Sequence, residues 1–393
     1  MKMGCFLPDL GIVNALGSGK KAVFERLLAG SREGLRRVTT HRGEFTVASC
    51  RPSAGAALEP RWENRLNRLL ADAADQIRPA VEKLAARFGA HRIGVVLGST
   101  DNGSEQSLEA LKAYRETGAF PSGYEFFKQT AHHASAFLRE FLDLSGFACG
   151  VSTACTSSAR ALILARNLLE SNTCDAAVAG GADIVSQAVL LGFHALEAVD
   201  PEPCNPFSRN RRGINLGEGA ALFTVTRGPE GGPSLRLSGC GESADAYHAT
   251  APEPEGRGAE AAMRAALAEA GLASADIDYL NLHGTGTELN DRMECKATDR
   301  VLPLRPPASS TKTMVGHTLG AAGAMELGFC WLAMSRPGAD FALPPHLWDN
   351  EPEEGIPRLN LIGPGARVRK LDHCMSNSYA FGGCNVSLII SRS

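Results

Sequence analysis

The sequence lacks a surplus of either charge. Forty Lys and Arg stand against 43 Asp and Glu in 393 residues, a net charge of −3. Without a basic excess there is no long-range attraction to nucleic acid or an anionic membrane, so any charged partner must be met by a local patch. Long apolar runs are also missing. The nearest candidate, "LGFCWLAM", falls far short of the roughly 20 residues that span a bilayer, so no membrane insertion is expected. The opening "MKMGCFLPDLGIVNALG" is broken by Pro8, Asp9 and Gly11 and does not read as a secretory leader. No CxxC pair occurs among the 11 cysteines, and their number is odd. That argues against a disulfide framework and a zinc site, and makes a reducing cytoplasm the expected home, with most cysteines acting as small buried hydrophobes. A P-loop is absent too: "LGSGKK" has Asn14 where the first glycine belongs and Lys21 where Ser or Thr belongs. No repeat or low-complexity tract is visible.

What remains is ordinary globular composition, 44% hydrophobic and 21% charged, with ample material for a core. Strand-like segments (92–99, 175–183, 219–227) alternate with helical patterns (61–88, 133–143, 155–171). A Gly/Pro break at 227–234 follows. Beyond it come strand-like 235–242, a helix at 258–271, a strand at 278–284, helices near 291–302 and 317–335, and final strands in 367–383 and 385–391. This order predicts two α/β halves, 1–230 and 231–393, packed as one body.

Chemistry concentrates at four places. In "SGFACGVSTACTSSARALILARNLLE", a short strand leads into a helix with Cys155 at the turn. A helix N-terminus favours a thiolate, and lowering a thiol of pKa 8.5 by about one unit raises its ionised share at pH 7 from a few per cent to roughly a quarter. No cation adjoins Cys155 in sequence, so the dipole is the expected activator. The small residues around it leave room for a bulky substrate. The alternative is a structural buried cysteine. His283, in "YLNLHGTGTELND", is expected to end a strand, and His317, five residues after Lys312 in "SSTKTMVGHTLGAAGAMEL", to start a helix. Each could equally be a hydrogen-bonded core histidine. Metal ligation has little support, because Glu288, Asp291 and Glu294 lack ligand spacing. Gly320, Gly323 and Gly328 cost helix stability, which suggests close packing, expected against the helix that starts at Cys155. Thr285 and Thr287 alternate, so their hydroxyls could face one side. "SNSYAFGGCN" places Phe381 before two glycines that allow backbone N–H groups to face an oxygen.

Taken together, "STACTSSA", "NPFSRNRRGINLGEGAAL", "NLHGTGTELND", "SSTKTMVGHTLGAAGAMEL" and "SNSYAFGGCN" resemble the β-ketoacyl-acyl-carrier-protein synthases, the decarboxylating condensing enzymes of fatty-acid and polyketide synthesis. "STACTSSARA", "FSRNRRGINLGEGAAL" and "GESADAYHATAPEPEG" look most like the ketosynthases of bacterial aryl-polyene clusters. Mainstream fatty-acid members usually carry acidic residues at Ser208 and Arg212, and Thr or His at Cys384.

The resemblance implies the thiolase-like α/β fold: two similar βαβ-rich halves in five αβαβα layers, usually dimeric. It implies that Cys155 carries the acyl chain and that His283 and His317 stabilise the malonyl enolate. Lys312 and Glu326 would fix His317. Thr285 and Thr287 would hold the pantetheine arm, and the backbone N–H groups of Cys155 and Phe381 would form an oxyanion hole, with Phe381 also a gate. No metal or organic cofactor is implied, since acyl-carrier protein brings its own phosphopantetheine. Carrier proteins are acidic, so a basic landing patch is expected. Arg61, Arg65 and Arg68 read as one helix face, with Arg209 and Arg211 adding to it. Each could instead be an ordinary solvated arginine. Segment 124–137 is expected to help line the acyl tunnel. Two rivals stay open. One is a biosynthetic thiolase, with Cys384 as second cysteine; the other is a catalytically silent chain-length-factor-like subunit. The chain would act as a homodimer, or as a heterodimer with such a subunit.

Overall fold

The computed structural model describes residues 4–52, 57–101, 103–336 and 338–393. Ten strands build two sets of five. The first set is β1 (Phe6–Asn14), β2 (Ile93–Gly98), β3 (Ala148–Val151), β4 (Ala176–Asp183) and β5 (Gly219–Thr226). The second is β6 (Leu235–Ala244), β7 (Tyr279–Asn281), β8 (Ala308–Ser309), β9 (His373–Tyr379) and β10 (Cys384–Arg392). The spatial orders are β3-β2-β4-β5-β1 and β8-β7-β9-β10-β6. In each set the third, second and fourth strands run parallel, while the fifth and first pair antiparallel. The same topology therefore occurs twice, although no repeat is visible in the residues. The sets meet where β1 pairs antiparallel with β6 at Phe6 and Arg236.

Helices complete five layers, as in the thiolase-like fold. Outermost on the first set lie α1 (Arg65–Phe88), against β1, β5 and β4, and α2 (His132–Phe141), against β3 and β2. Between the sheets lie α3 (Ser157–Glu170) and, from the second half, α8 (Ala322–Met334), which pack on each other and reach strands of both sets. Outermost on the second set lie α5 (Arg257–Ala270), against β6 and β10, and α6 (Glu288–Val301), against α5. Two short helices, α4 (Gln187–Ala195) and α7 (Lys312–Val315), complete the site region. The middle layer explains the composition. All thirteen residues of α8 are buried, so it is apolar around its circumference. β4 is buried along its whole length, because α1 covers one face of the sheet there and α3 the other.

The glycines of the inner layer do what their helix cost suggests, on different partners. A Cβ on Gly323 would sit 2.7 Å from the Ala159 Cβ of α3, as expected. Gly320 instead abuts the Asp183 carboxylate, and Gly328 faces Leu10 and Ile12 of β1. Two boundaries differ from expectation in ways that matter. α1 starts at Arg65, capped by the Asn64 side chain, which accepts from the Asn67 N–H at 2.8 Å. Arg61 therefore lies before the helix, not on its face. α8 starts at Ala322, so His317 does not begin a long helix. It sits in the link after α7, held by backbone bonds to β-like residues 215–217: its N–H donates to Asn215 O at 2.7 Å and its carbonyl accepts from Gly217 N–H at 2.9 Å.

Candidate active site

Cys155 stands on a sharp turn. β3 ends at Val151, Ala154 adopts a left-handed conformation (φ 50°), and α3 begins at Ser157. A non-glycine residue in that conformation is uncommon and often marks a functional turn. The turn is braced by Ser157 Oγ, which accepts from Thr153 N–H at 2.9 Å and donates to Ala154 O at 2.6 Å. The first turn of α3 presses on β2: a Cβ on Gly98 would lie 2.3 Å from Ser158 N. These contacts hold the sulfur at the floor of a cavity of about 360 Å³ that His283, His317, Thr285, Thr287, Phe381, Phe193 and Tyr379 also line.

His317 Nε2 is 3.0 Å from Cys155 Sγ. Its Nδ1 accepts from the Leu319 N–H at 3.3 Å, which leaves the ring proton on Nε2, facing the sulfur. His283 meets His317 edge to face, with ring centroids 5.2 Å apart. Burial, then the Lys312 charge, holds both imidazoles well below their usual 6.5, so both are neutral at pH 7. Burial pushes the Cys155 thiol up to about 12, against a downward pull led by Lys312 and including the Phe381 N–H. This corrects the sequence expectation of a lowered thiol: the helix terminus is present, but desolvation outweighs it. The resting pair is thiol and neutral imidazole.

Lys312 is a second correction. It contacts the Glu326 carboxylate and the His283 carbonyl, and its Nζ stands 3.5 Å from His283 Nδ1. It therefore orients His283, not His317. The pair with Glu326 is fully buried, with side chains 1% and 2% exposed. Thr285 and Thr287 do face one side, with their hydroxyl oxygens 2.9 Å apart. Asp291 and Glu294 hold the loop that presents them. Glu294 accepts from His283 and Gly284 N–H at 2.8 and 2.7 Å, and Asp291 accepts from Thr285 N–H at 3.1 Å. Among the described residues, Cys155, His283 and His317 form the one group whose ligand atoms, all within 4.8 Å, are spaced for a metal ion. The buried Lys312 ammonium beside His283 opposes a cation there.

Three features had no sequence signal. Asp183 is fully buried and accepts from Thr100, Asp101 and Gly320 N–H groups. Phe193 of α4 stacks on Phe381 with centroids 5.6 Å apart. Tyr379 packs edge-on to His283 at 5.8 Å. Each is placed by chain segments remote in sequence.

The arginines divide. Arg65 is tied to the buried carboxylate of Glu218 (Nε–Oε2 2.8 Å) and to Cys50 O, and Arg211 is buried against Glu353 and the carbonyls of Ser208 and Glu288. Neither is free for a partner, because each neutralises interior polar groups. Arg61, Arg68 and Arg209 are exposed and pair with Glu140, Glu63 and Glu351. Ser208 donates to Asp349 at 3.0 Å, so an acidic residue at 208 would set two carboxylates together. Residues 124–137 do not line the described cavity around Cys155; His133 instead packs among Trp62 and Phe127. Cys384 is likewise absent from that lining.

Comparisons with known proteins agree with this geometry. The family model "Beta-ketoacyl synthase, N-terminal domain" matches residues 64–230, and "Beta-ketoacyl synthase, C-terminal domain" matches 235–344. The chain is 32% identical to 3-oxoacyl-[acyl-carrier-protein] synthase 2 of Coxiella burnetii, over 98% of both chains. It is 36% identical to nodulation protein E of Rhizobium meliloti, over 78% of this chain and 76% of that one. Among solved structures, the ketosynthase ApeO in complex with its chain length factor ApeC, from Xenorhabdus doucetiae, superposes with a TM-score of 0.91 at 37% identity, covering 100% of this chain and 98% of that one. The chain belongs to the β-ketoacyl synthase family of condensing enzymes.

Proposed function

We propose that the chain is an elongating 3-oxoacyl-acyl-carrier-protein synthase, and that Cys155, His283 and His317 carry its chemistry. The observation that carries this reading is the gathering of one thiol and two neutral imidazoles within 4.8 Å, at the floor of a cavity whose wall holds Thr285 and Thr287.

Cys155 takes the acyl group from acyl-carrier protein as a thioester, and its proton leaves with the departing pantetheine thiol. The Cys155 and Phe381 N–H groups stabilise the tetrahedral oxyanion. Malonyl-carrier protein enters next, its arm held by Thr285 and Thr287. The C–CO2 bond breaks, CO2 departs, and the electron pair becomes an enolate on the thioester oxygen. His283 and His317 donate Nε2–H to that oxygen, a role that suits neutral imidazoles whose Nδ1 is engaged elsewhere. The carbanion attacks the acyl carbon, the C–S bond to Cys155 breaks, and the released thiolate takes a proton from water. Lys312 and Glu326 keep His283 oriented. The scheme requires no metal or cofactor of the protein's own.

The functional halves are 1–230, with the nucleophile, and 231–393, with both histidines. The position of Cys384 weighs against a thiolase, and the gathered Cys–His–His set weighs against a silent chain-length-factor role. Likeness to the ApeO–ApeC complex favours an aryl-polyene pathway and a heterodimer with a chain-length-factor-like subunit over a homodimer. Among the described residues no helix is long and apolar enough to cross a membrane, and a cytoplasmic location fits the free cysteines.

Intact-mass analysis after incubation with saturated and polyunsaturated acyl-carrier proteins tests this reading. An adduct on the wild type that is lost in Cys155→Ala supports it, and the preferred chain chooses the pathway. No adduct from any donor, with a partner subunit supplied, refutes it.

A further inference from the structure

The Cys155 cavity opens beside a shallow hollow, and Arg211 and Arg212 line both. The hollow is otherwise formed by Asp200, Pro203, Asn205, Arg209 and Asn210. Arg211 is spent on interior partners, as described above. Arg212 is not. Its side chain is 60% exposed, and among the described residues it makes one hydrogen bond, to Asp200 Oδ1 at 3.1 Å. Arg209, 58% exposed, pairs in the open with Glu351 at 2.7 Å. Asp200 is itself buried and also accepts from Glu202 N–H at 3.0 Å. The hollow thus presents two accessible guanidinium groups over one occupied carboxylate. The adjoining cavity shares Arg211 and Arg212 but adds Glu197, Glu288 and Asp245 to its lining, so its balance is less positive than the hollow's. An anionic group entering this mouth is favoured on the hollow over the cavity.

The proposed substrate arm carries its charge in a matching place. Its sulfur must reach Cys155, its amides pass Thr285 and Thr287, and its phosphodiester stays at the far end. We propose that Arg212, with Arg209 beside it, forms a phosphate subsite at the cavity mouth that holds the phosphodiester end of the arm. The inference rests on the condensing function proposed above. A guanidinium suits this task because its planar donor fork matches phosphate oxygens, and the exposed Arg212 side chain keeps further donors available beside the one given to Asp200. Mainstream fatty-acid members, by the resemblance, usually carry an acidic side chain at 212, so the subsite sets this chain apart from them.

The test compares CO2 release from malonyl-phosphopantetheine and malonyl-pantetheine by the purified protein in the assembly it forms. Arg212→Ala and Arg212→Lys are set beside Arg87→Ala, a remote exposed arginine paired with Glu230. The wild type and Arg87→Ala are expected to show a KM about five- to tenfold lower for the phosphorylated thioester, the scale of one partly exposed charge-assisted hydrogen bond. Arg212→Ala should erase that difference, and Arg212→Lys should keep part of it. Equal KM values in the wild type, or a difference that survives Arg212→Ala, overturns the subsite. If Arg212→Ala weakens only malonyl-carrier protein while the two small thioesters are equal, Arg212 meets the carrier's protein surface and the phosphate assignment is wrong. If the wild type releases no CO2 from these thioesters or from malonyl-carrier protein, the condensing function fails and the subsite falls with it.

Discussion

Lys312 Nζ stands 3.5 Å from His283 Nδ1 and contacts the carbonyl of the same residue, 29 positions away in sequence. The contact places the positive charge behind the imidazole, so Nε2 is the nitrogen left facing the cavity. His317 reaches the same tautomer by another route, the Leu319 N–H. One site thus orients two histidines with two different devices, and they should respond differently to mutation.

Lys312→Met removes the contact that orients His283, and with it the charge that pulls the Cys155 thiol and both imidazoles down. CO2 release from malonyl-carrier protein should fall by about 10²-fold, the scale lost with one preorganised donor. Acyl transfer to Cys155 should fall less, by about tenfold, since Cys155 Sγ faces His317 and loses only the downward pull of the Lys312 charge on its thiol. Steady-state CO2 release and intact-mass acylation, run side by side, separate the two. Equal losses in both would mean that Lys312 acts on the whole site.

Asp183 anchors the turn that serves His317. It accepts from Gly320 N–H, one residue beyond Leu319, whose left-handed backbone (φ 51°) aims its own N–H at His317 Nδ1. Asp183→Asn should let the turn relax and shift the His317 proton toward Nδ1. Nitrogen NMR of the labelled imidazoles reads that tautomer directly. CO2 release should drop at least about tenfold, while Asp183→Ala, which leaves several buried N–H groups unpaired, should also destabilise the fold by about 2–4 kcal/mol.

Gly323→Ala tests the inner layer. The new methyl would press on Ala159, four residues after Cys155, and overpacking of this kind costs about 1–3 kcal/mol. Because α3 carries the nucleophile turn, acylation of Cys155 should slow more than a surface substitution of equal stability cost. Gly355→Ala, at an exposed glycine with open space, is the comparison. A Gly323→Ala protein with unchanged Tm would contradict the close approach.

Alkaline pH should destabilise the protein. Burial raises Asp183 and Glu326 to about 7 and Glu294 to about 8. An acid whose folded pKa is raised keeps its proton in the folded state after the unfolded chain has lost it. Its contribution is full below the unfolded value near 4 and is lost as pH rises through 7 to 8, at about 1.4 kcal/mol per pH unit per proton. Buried thiols such as Cys155 and Cys204, both pushed up to about 12, extend the loss above pH 8.5. Thermal melts should therefore show Tm falling steadily from pH 6.5 to 9.5. The neutral histidines titrate in the other direction and below 6.5, so they do not offset this loss. A flat Tm across that range would refute the argument.

Much of the architecture was legible in the residues. The alternation of apolar strands and helices around the break at 227–234 located both halves, because burial on two faces writes continuous apolar runs and burial on one face writes helical stripes. Cys155, His283, His317, Thr285 and Thr287 were legible too, since each stands at an element end within a distinctive local motif. Three things were not. The two similar halves were implied by the resemblance, but the strand order within each is a property of pairing between distant segments, enforced by backbone hydrogen bonds that leave no residue signature. The neutrality of Cys155 follows from desolvation by both halves at once, which outweighs the local helix terminus that the sequence does reveal. The partner of Lys312, the brace of Asp183 and the separation of spent from accessible arginines depend on which groups share a buried volume, and only the packed tertiary structure decides that.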